Sequence, residues 1–199
     1  MAGSEDAPLE ESAPAESAHG ERALGERALG ADGRLHRRGA RVLLVDRRHA
    51  VPRLLMMLGH DPDVPTRSFW FTPGGGIEAN ESSREAAVRE LAEETGYALE
   101  TRELRGPVWT RTAVFDFASL PYSQKEDIFV ADLADAEARQ RHDAVWTQQE
   151  VESIDEVSWL TREELLADAR EVFPARLLDS WDAFLEWDGV TTDFGEVDE

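Results

Sequence analysis

Apolar and polar positions divide the chain into segments of different period. From residue 41, RVLLVDRR and, after the turn-prone residues 49–52, RLLMML read as two β-strands, short apolar runs bounded by charge and a proline. The aromatic stretch 68–72 is a third strand candidate, stopped by Pro73 and three glycines. Ser82 with Glu85 three positions on resembles a capping box, and predicts a helix that runs to about Thr95 and ends at Gly96. Beyond it, residues 108–117 and 127–133 read as strands joined by a connection over 118–126, and residues 156–160 as a further short strand. Thr161 is the expected N-cap of a helix over 162–170. In a last helix over 174–187, Leu177, Leu178, Trp181, Phe184 and Leu185 recur at helical spacing, a stripe suited to core packing. Strands, a helix, more strands and two closing helices predict an α/β fold, a mixed sheet with helices on both faces.

The ends of the chain differ from this pattern. Residues 1–36 lack the aromatic and β-branched side chains whose burial offsets chain entropy, and are expected to form a disordered, acidic, Ala-rich tail. The folded domain is expected over 37–188, with an acidic C-terminal tail over 189–199. The run GERALGERALG at 20–30 repeats a five-residue unit only twice, too few copies for a repeat architecture. A length of 199 residues suits one domain and can bury a sizeable core. The chain has no cysteine, so any metal must be held by oxygen or imidazole ligands.

Forty-two acids against 21 Lys and Arg give a formal charge of −21, which disfavours attraction to a DNA or RNA duplex or an anionic membrane. A polyanionic ligand would need a cation's help. The N-terminus lacks the basic start and apolar stretch of a secretory signal, and no apolar run approaches the roughly 20 residues that span a bilayer. These features lead us to expect a cytoplasmic protein, monomeric or homodimeric.

The chemistry is concentrated in GGGIEANESSREAAVRELAEETGY at residues 74–97. From Gly75 it fits G-x5-E-x7-R-E-U-x-E-E-x-G-U, with U a large apolar residue. Gly75, Glu81, Arg89, Glu90, Glu93, Glu94 and Gly96 hold the fixed positions, and Leu91 and Tyr97 the apolar ones. Two glycines, one arginine and four acids in this composition coincide roughly once in a million starting positions. On a helix with about 3.6 residues per turn, Glu90, Glu93 and Glu94 stand at i, i+3 and i+4 on one face, with Val88 and Leu91 on the opposite side, free to pack on the sheet. Adjacent carboxylates repel, and a divalent cation relieves the repulsion. Mg²⁺ prefers such oxygen ligands beside a phosphate, and Mn²⁺ is a plausible substitute.

This segment resembles the Nudix box, with the aromatic Tyr97 in a slot that is usually aliphatic. The resemblance implies a Nudix-like α/β/α sandwich and a Mg²⁺-dependent hydrolase that cleaves the pyrophosphate linkage of a nucleoside-diphosphate derivative. It further implies that the Gly74 carbonyl, Glu90 and Glu94 hold metal, that Glu93 is a ligand or the base for the attacking water, and that Arg89 and Glu81 form a supporting ion pair. Members often supply one more acid from far along the chain. Glu126, in SQKEDIF, is the candidate for that catalytic role, with Asp127 as competitor.

Arrays that mark NADH-, coenzyme-A- and ADP-ribose-cleaving members are absent, which leaves a nucleoside triphosphate, oxidised or not, as the favoured small-molecule substrate. The alternative is a nucleotide-sensing module without catalysis. Arg111 could meet a phosphate, and Trp109 or Tyr122 could stack on a base, although strand aromatics more often pack in a core.

Overall fold

A computed structural model describes residues 27–133 and 144–199. Among the described residues ten strands form one mixed sheet: β1 Arg27–Leu29, β2 Leu35–Asp46, β3 Arg53–Asp61, β4 Val64–Phe71, β5 Gly74–Gly76, β6 Arg105–Phe117, β7 Leu120–Asp132, β8 Ile154–Leu160, β9 Glu171–Phe173 and β10 Thr192–Asp198. Their main order is β10-β6-β7-β2-β3-β4-β9, with β1 and β5 also on β2 and β8 on β3. The helices are α1 Ser83–Thr95, α2 Gln148–Ser153, α3 Arg162–Ala167 and α4 Trp181–Leu185.

Alternation along the strands builds two cores. On β2, Val42 and Leu44 point to the face where Ala86, Ala87 and Leu91 of α1 pack, while Leu43 and Val45 point to the face covered by Leu165, Leu177, Trp181 and Phe184. β7 divides likewise, Phe129 and Ala131 against Ile128 and Val130. A sheet buried on both faces between helices is the sandwich expected of the α/β class.

β2 positions the site. It runs parallel to β7 from Leu35 to Val45, but its other edge is divided. Val45 and Asp46 pair with β3, whereas Gly39, Ala40 and Arg41 pair with the glycine strand β5. A cleft opens where β5 parts from β3, and α1 starts shortly after β5.

Several sequence expectations are corrected. The segment read as an N-terminal tail contributes β1 and the start of β2, in antiparallel register from Arg27 opposite Arg37; residues 1–26, with most of the GERAL repeat, lie outside the described residues. The expected connection 118–126 is a tight hairpin at Ala118 and Ser119, both at positive φ, with strand from Leu120 onward. The helix expected over 174–187 is helical only at Trp181–Leu185. The C-terminal segment is no free tail: β10 pairs parallel with β6 and packs Phe194 on Trp109, with ring centroids 5.5 Å apart. Alternation in these segments is weak because β1 and β10 are edge strands with one solvated side.

Candidate active site

α1 is built as its sequence dictates. The Ser82 hydroxyl accepts from the Glu85 amide, the Glu85 carboxylate accepts from the Ser82 amide at 2.9 Å, and Gly96 closes the helix at φ 75°. Leu91 is wholly buried against the sheet. The other face delivers acids to the cleft, but they do not behave alike. Glu90 and Glu94 are each only 4 % exposed. The Glu93 side chain stays half-exposed and accepts from Arg89 at 3.1 Å. Arg89 is the hub, donating also to both Glu81 oxygens at 2.8 and 2.9 Å, to Glu90 at 2.8 Å and to the Gly76 carbonyl at 2.9 Å.

The glycine strand lets the backbone lie against these carboxylates. A Cβ on Gly75 would stand 2.6 Å from the Glu90 carboxyl carbon, so no larger residue fits without moving Glu90. Gly74, at φ 140°, donates its N–H to Glu94 at 2.7 Å.

The missed residue is Glu150. Val145 N–H donates to the Glu93 carbonyl at 2.7 Å and the Trp146 indole to the Glu94 carbonyl at 2.8 Å, which ties this segment to the end of α1. Thr147 then caps α2, its N–H donating to Glu150 at 2.7 Å. Carboxylate oxygens of Glu90, Glu94 and Glu150 thereby lie within 4.8 Å of one another. The T-x-x-E pattern at 147–150 signals a helix start, but nothing in it reveals the proximity to α1. Burial pushes the Glu90 carboxyl up to about 7 despite the opposing pull of Arg89, and raises Glu94 well above the carboxylate range, with Glu90 adding to the effect. Three converging carboxylates, among them the raised Glu90 and Glu94, form a donor set suited to a hard divalent cation.

Glu126 lines the same pocket but is not part of this cluster. It is a buried residue of β7 rather than a loop acid, accepting from Arg41 Nε and Arg111 Nε at 2.6 Å each. Those guanidiniums outweigh its desolvation and hold its carboxyl down to about 2. A carboxylate so stabilised takes up a proton poorly, which argues against the base role the sequence suggested. Asp127 sits in the next position of β7, on the opposite side of the strand.

Arg111 lines the pocket but is spoken for by Glu126 and by a two-pronged ion pair with Glu199. Trp109 is a core residue, 2 % exposed and edge-on to Phe184, so it cannot stack on a ligand. Tyr122 is 3 % exposed, behind Arg37 and against Phe115.

The pocket, about 190 Å³, therefore has an acidic end at Glu90, Glu94 and Glu150 beside Gly74–Gly76. Arg37, Arg41 and Arg111 line another wall, and Phe69, Phe71, Phe115, Phe117 and Phe173 add aromatic surface. No helix among the described residues is long and apolar enough to cross a membrane.

The NUDIX domain family model matches residues 35–181. The chain is 43% identical over 54 residues to a putative nudix hydrolase 1 of Caenorhabditis elegans, covering 25% of this chain and 15% of that protein. It is 44% identical over 54 residues to an RNA pyrophosphohydrolase of Dinoroseobacter shibae, covering 26% and 32%. It is 57% identical over 35 residues to a putative 8-oxo-dGTP diphosphatase of Bacillus subtilis, covering 18% and 22%. The chain thus matches less than a third of the length of each of these relatives. Among solved structures, an Ap4A hydrolase binary complex of C. elegans superposes with TM-score 0.52 at 19% identity, over 75% of this chain and 97% of that one. A MutT NUDIX hydrolase of Burkholderia pseudomallei gives TM-score 0.50 at 19% identity, over 72% and 95%. At these identities the likeness is one of fold.

Proposed function

Because the chain belongs to the NUDIX domain family, we propose that it is a divalent-metal-dependent pyrophosphohydrolase that cleaves the phosphoanhydride of a nucleoside-diphosphate derivative, a nucleoside triphosphate being the favoured substrate. The observation that carries this reading is the convergence of Glu90, Glu94 and Glu150 within 4.8 Å at one end of a pocket whose wall is lined by arginines. The names of relatives, a pyrophosphohydrolase and a diphosphatase, point to the same bond.

The donor set fits Mg²⁺ or Mn²⁺: Glu90, Glu94 and Glu150 would hold the ion, with Gly74 contributing backbone. A bound cation would neutralise the carboxylates and lower the pKa of a water that attacks phosphorus. The remaining work falls to the chain. Arg89, anchored on Glu81, orients Glu90 and neutralises part of its charge. The Gly74 amide holds Glu94 in place. Arg41, half-shared with Glu126, offers positive charge to the phosphates beside β5. Glu93, half-exposed and paired only with Arg89 among the described residues, is the better-placed proton acceptor than Glu126. As the water's oxygen bonds to phosphorus, the bridging P–O bond breaks and its electrons leave with the departing phosphate; the water's proton passes to the acceptor.

Incubating the purified protein with Mg²⁺ and a panel of nucleotides, then resolving the phosphate products, tests the reading. Turnover is expected with the wild type, and Glu94→Gln should lose on the order of 100-fold or more in kcat. Full turnover in that variant would contradict the assignment.

A further inference from the structure

On one face, three neighbouring strands change character along the same line. Residues of β2 run Val45, Leu43, then Arg41, Gly39, Arg37; those of β7 run Val130, Ile128, then Glu126, Gln124, Tyr122; those of β6 run Trp109, then Arg111, Ala113, Phe115. Cross-strand register aligns Arg37 with Gln124, Gly39 with Glu126 and Phe115 with Tyr122. The ionic half of this face lines the pocket.

Arg37 stands apart within it. Arg41 and Arg111 are held by Glu126, and Arg67 by Glu171. Arg37 makes no ion pair with any described residue, and its Nε is a buried donor without a partner. Its guanidinium lies 4.8 Å from the centroid of the Tyr122 ring, which stacks on Phe115 at 5.4 Å and 16°. Burial and the like charge of Arg41 lower it to about 10, so it remains a cation at neutral pH. A desolvated cation is costly unless paired, and a cation–π contact recovers only part of that cost. The site is therefore prepared for hydrogen-bond acceptors that the described residues do not supply.

Position indicates which part of a substrate supplies them. Gly74, at the acidic end, pairs with Arg41. Arg37 is four residues away on the same strand face, about 13 Å at 3.3 Å per residue. Phosphates held at the carboxylates place the ribose between and the base at Arg37, whose guanidinium lies 5.8 Å from the Phe115 ring centroid, in a pocket that Phe69, Phe117 and Phe173 also line. A guanidinium fork matches two adjacent acceptors. The O6 and N7 of a 6-oxopurine present that pair, whereas adenine offers one acceptor beside a donor and the two carbonyls of uracil are separated by an N–H.

We propose that Arg37 is a specificity-determining residue that selects a 6-oxopurine nucleotide by pairing its free N–H groups with O6 and N7 of the base. This rests on the hydrolase reading for the placement of the phosphates.

With the full chain and Mg²⁺, kcat/KM is compared for GTP, ITP, 7-deaza-GTP, ATP and inorganic tripolyphosphate. GTP and ITP should be equivalent and exceed ATP by roughly 5- to 150-fold, the worth of one bidentate pair. The 7-deaza analogue, lacking N7, should lose much of that advantage. Arg37→Met should bring the GTP-to-ATP ratio to near one, a ratio insensitive to how much of the variant is folded. Equal cleavage of GTP and ATP by the wild type, or a preference that survives in the variant, overturns the proposal. So does a uniform loss that includes tripolyphosphate, which would assign the cation to phosphate. Calorimetry with GMP and AMP reads the same preference in binding. A chain that binds GMP selectively through Arg37 but cleaves nothing would sink the hydrolase reading and leave this one standing.

Discussion

Glu126 and Glu94 carry the same formal charge and are equally buried, yet they sit at opposite ends of the proton scale. Two guanidiniums face Glu126, outweigh its burial and hold it at about 2; burial, with the Glu90 carboxylate adding to it, pushes Glu94 up. The consequences for stability have opposite signs. Folding favours ionised Glu126, so its contribution is full above the ordinary value near 4.5 and is lost as pH falls towards 2, about 3 kcal/mol in all. Urea midpoints followed from pH 7 to 2.5 should therefore fall less steeply in Glu126→Gln than in the wild type; parallel curves would refute the assignment. Folding disfavours ionised Glu94, so the neutral Glu94→Gln should unfold no earlier than the wild type above pH 5 although it loses activity. A clearly lowered melting temperature would mean that Gly74 needs the charge. The place of Glu94 beside Glu90 in the acidic cluster was legible because the motif spaces them one helical turn apart. The burial of Glu94 was not, since the periodicity of α1 fixes direction around the helix axis but not what covers that direction.

At the scale of elements, α1 was legible almost to the residue because its signals are local: Ser82 and Glu85 satisfy each other, and Gly96 takes the αL conformation that ends the helix. Ser82→Ala should cost about 1 kcal/mol, read as a lower denaturation midpoint with the m-value unchanged. An unaltered midpoint would show that tertiary packing alone holds the helix start. The neighbouring β5 makes the complementary case. Gly75→Ala places a methyl against the Glu90 carboxyl and should reduce turnover by ten-fold or more, on the order of what a misplaced group costs, at little expense in stability. Wild-type activity in that variant would show that Glu90 can move aside freely. The short α4 and the 118–119 hairpin were not legible. The helical stripe at 177–185 is shared between a turn and a helix, and the turn between β6 and β7 uses Ala and Ser at positive φ rather than the Gly or Asn that would announce it.

For the whole molecule, the main departure is the closing strand. β10 extends the sheet beside β6, covers Trp109 with Phe194 and brings Glu199 onto Arg111, whose other partner is Glu126. The C-terminal segment therefore joins the outer core to the wall of the pocket. Removing residues 190–199 should lower stability by about 2 kcal/mol or more in chemical denaturation, through lost burial and a half-paired buried arginine. An unchanged midpoint would restore the reading of this segment as a tail.

The sequence by itself determined the α/β class, the helix with its caps and the shared helix face of Glu90 and Glu94, because these are written in local spacings, whereas the glycines, read as a strand stop, pair with β2 as a strand of their own. The tertiary structure alone decided that Glu150 completes the acidic cluster, that Glu126 is a counter-ion to two arginines, that Trp109 belongs to the core and that Arg37 has no ion-pair partner among the described residues. Those outcomes depend on which distant strands lie side by side, and on how burial and neighbouring charge then reset each group's chemistry; neither is encoded within any one segment.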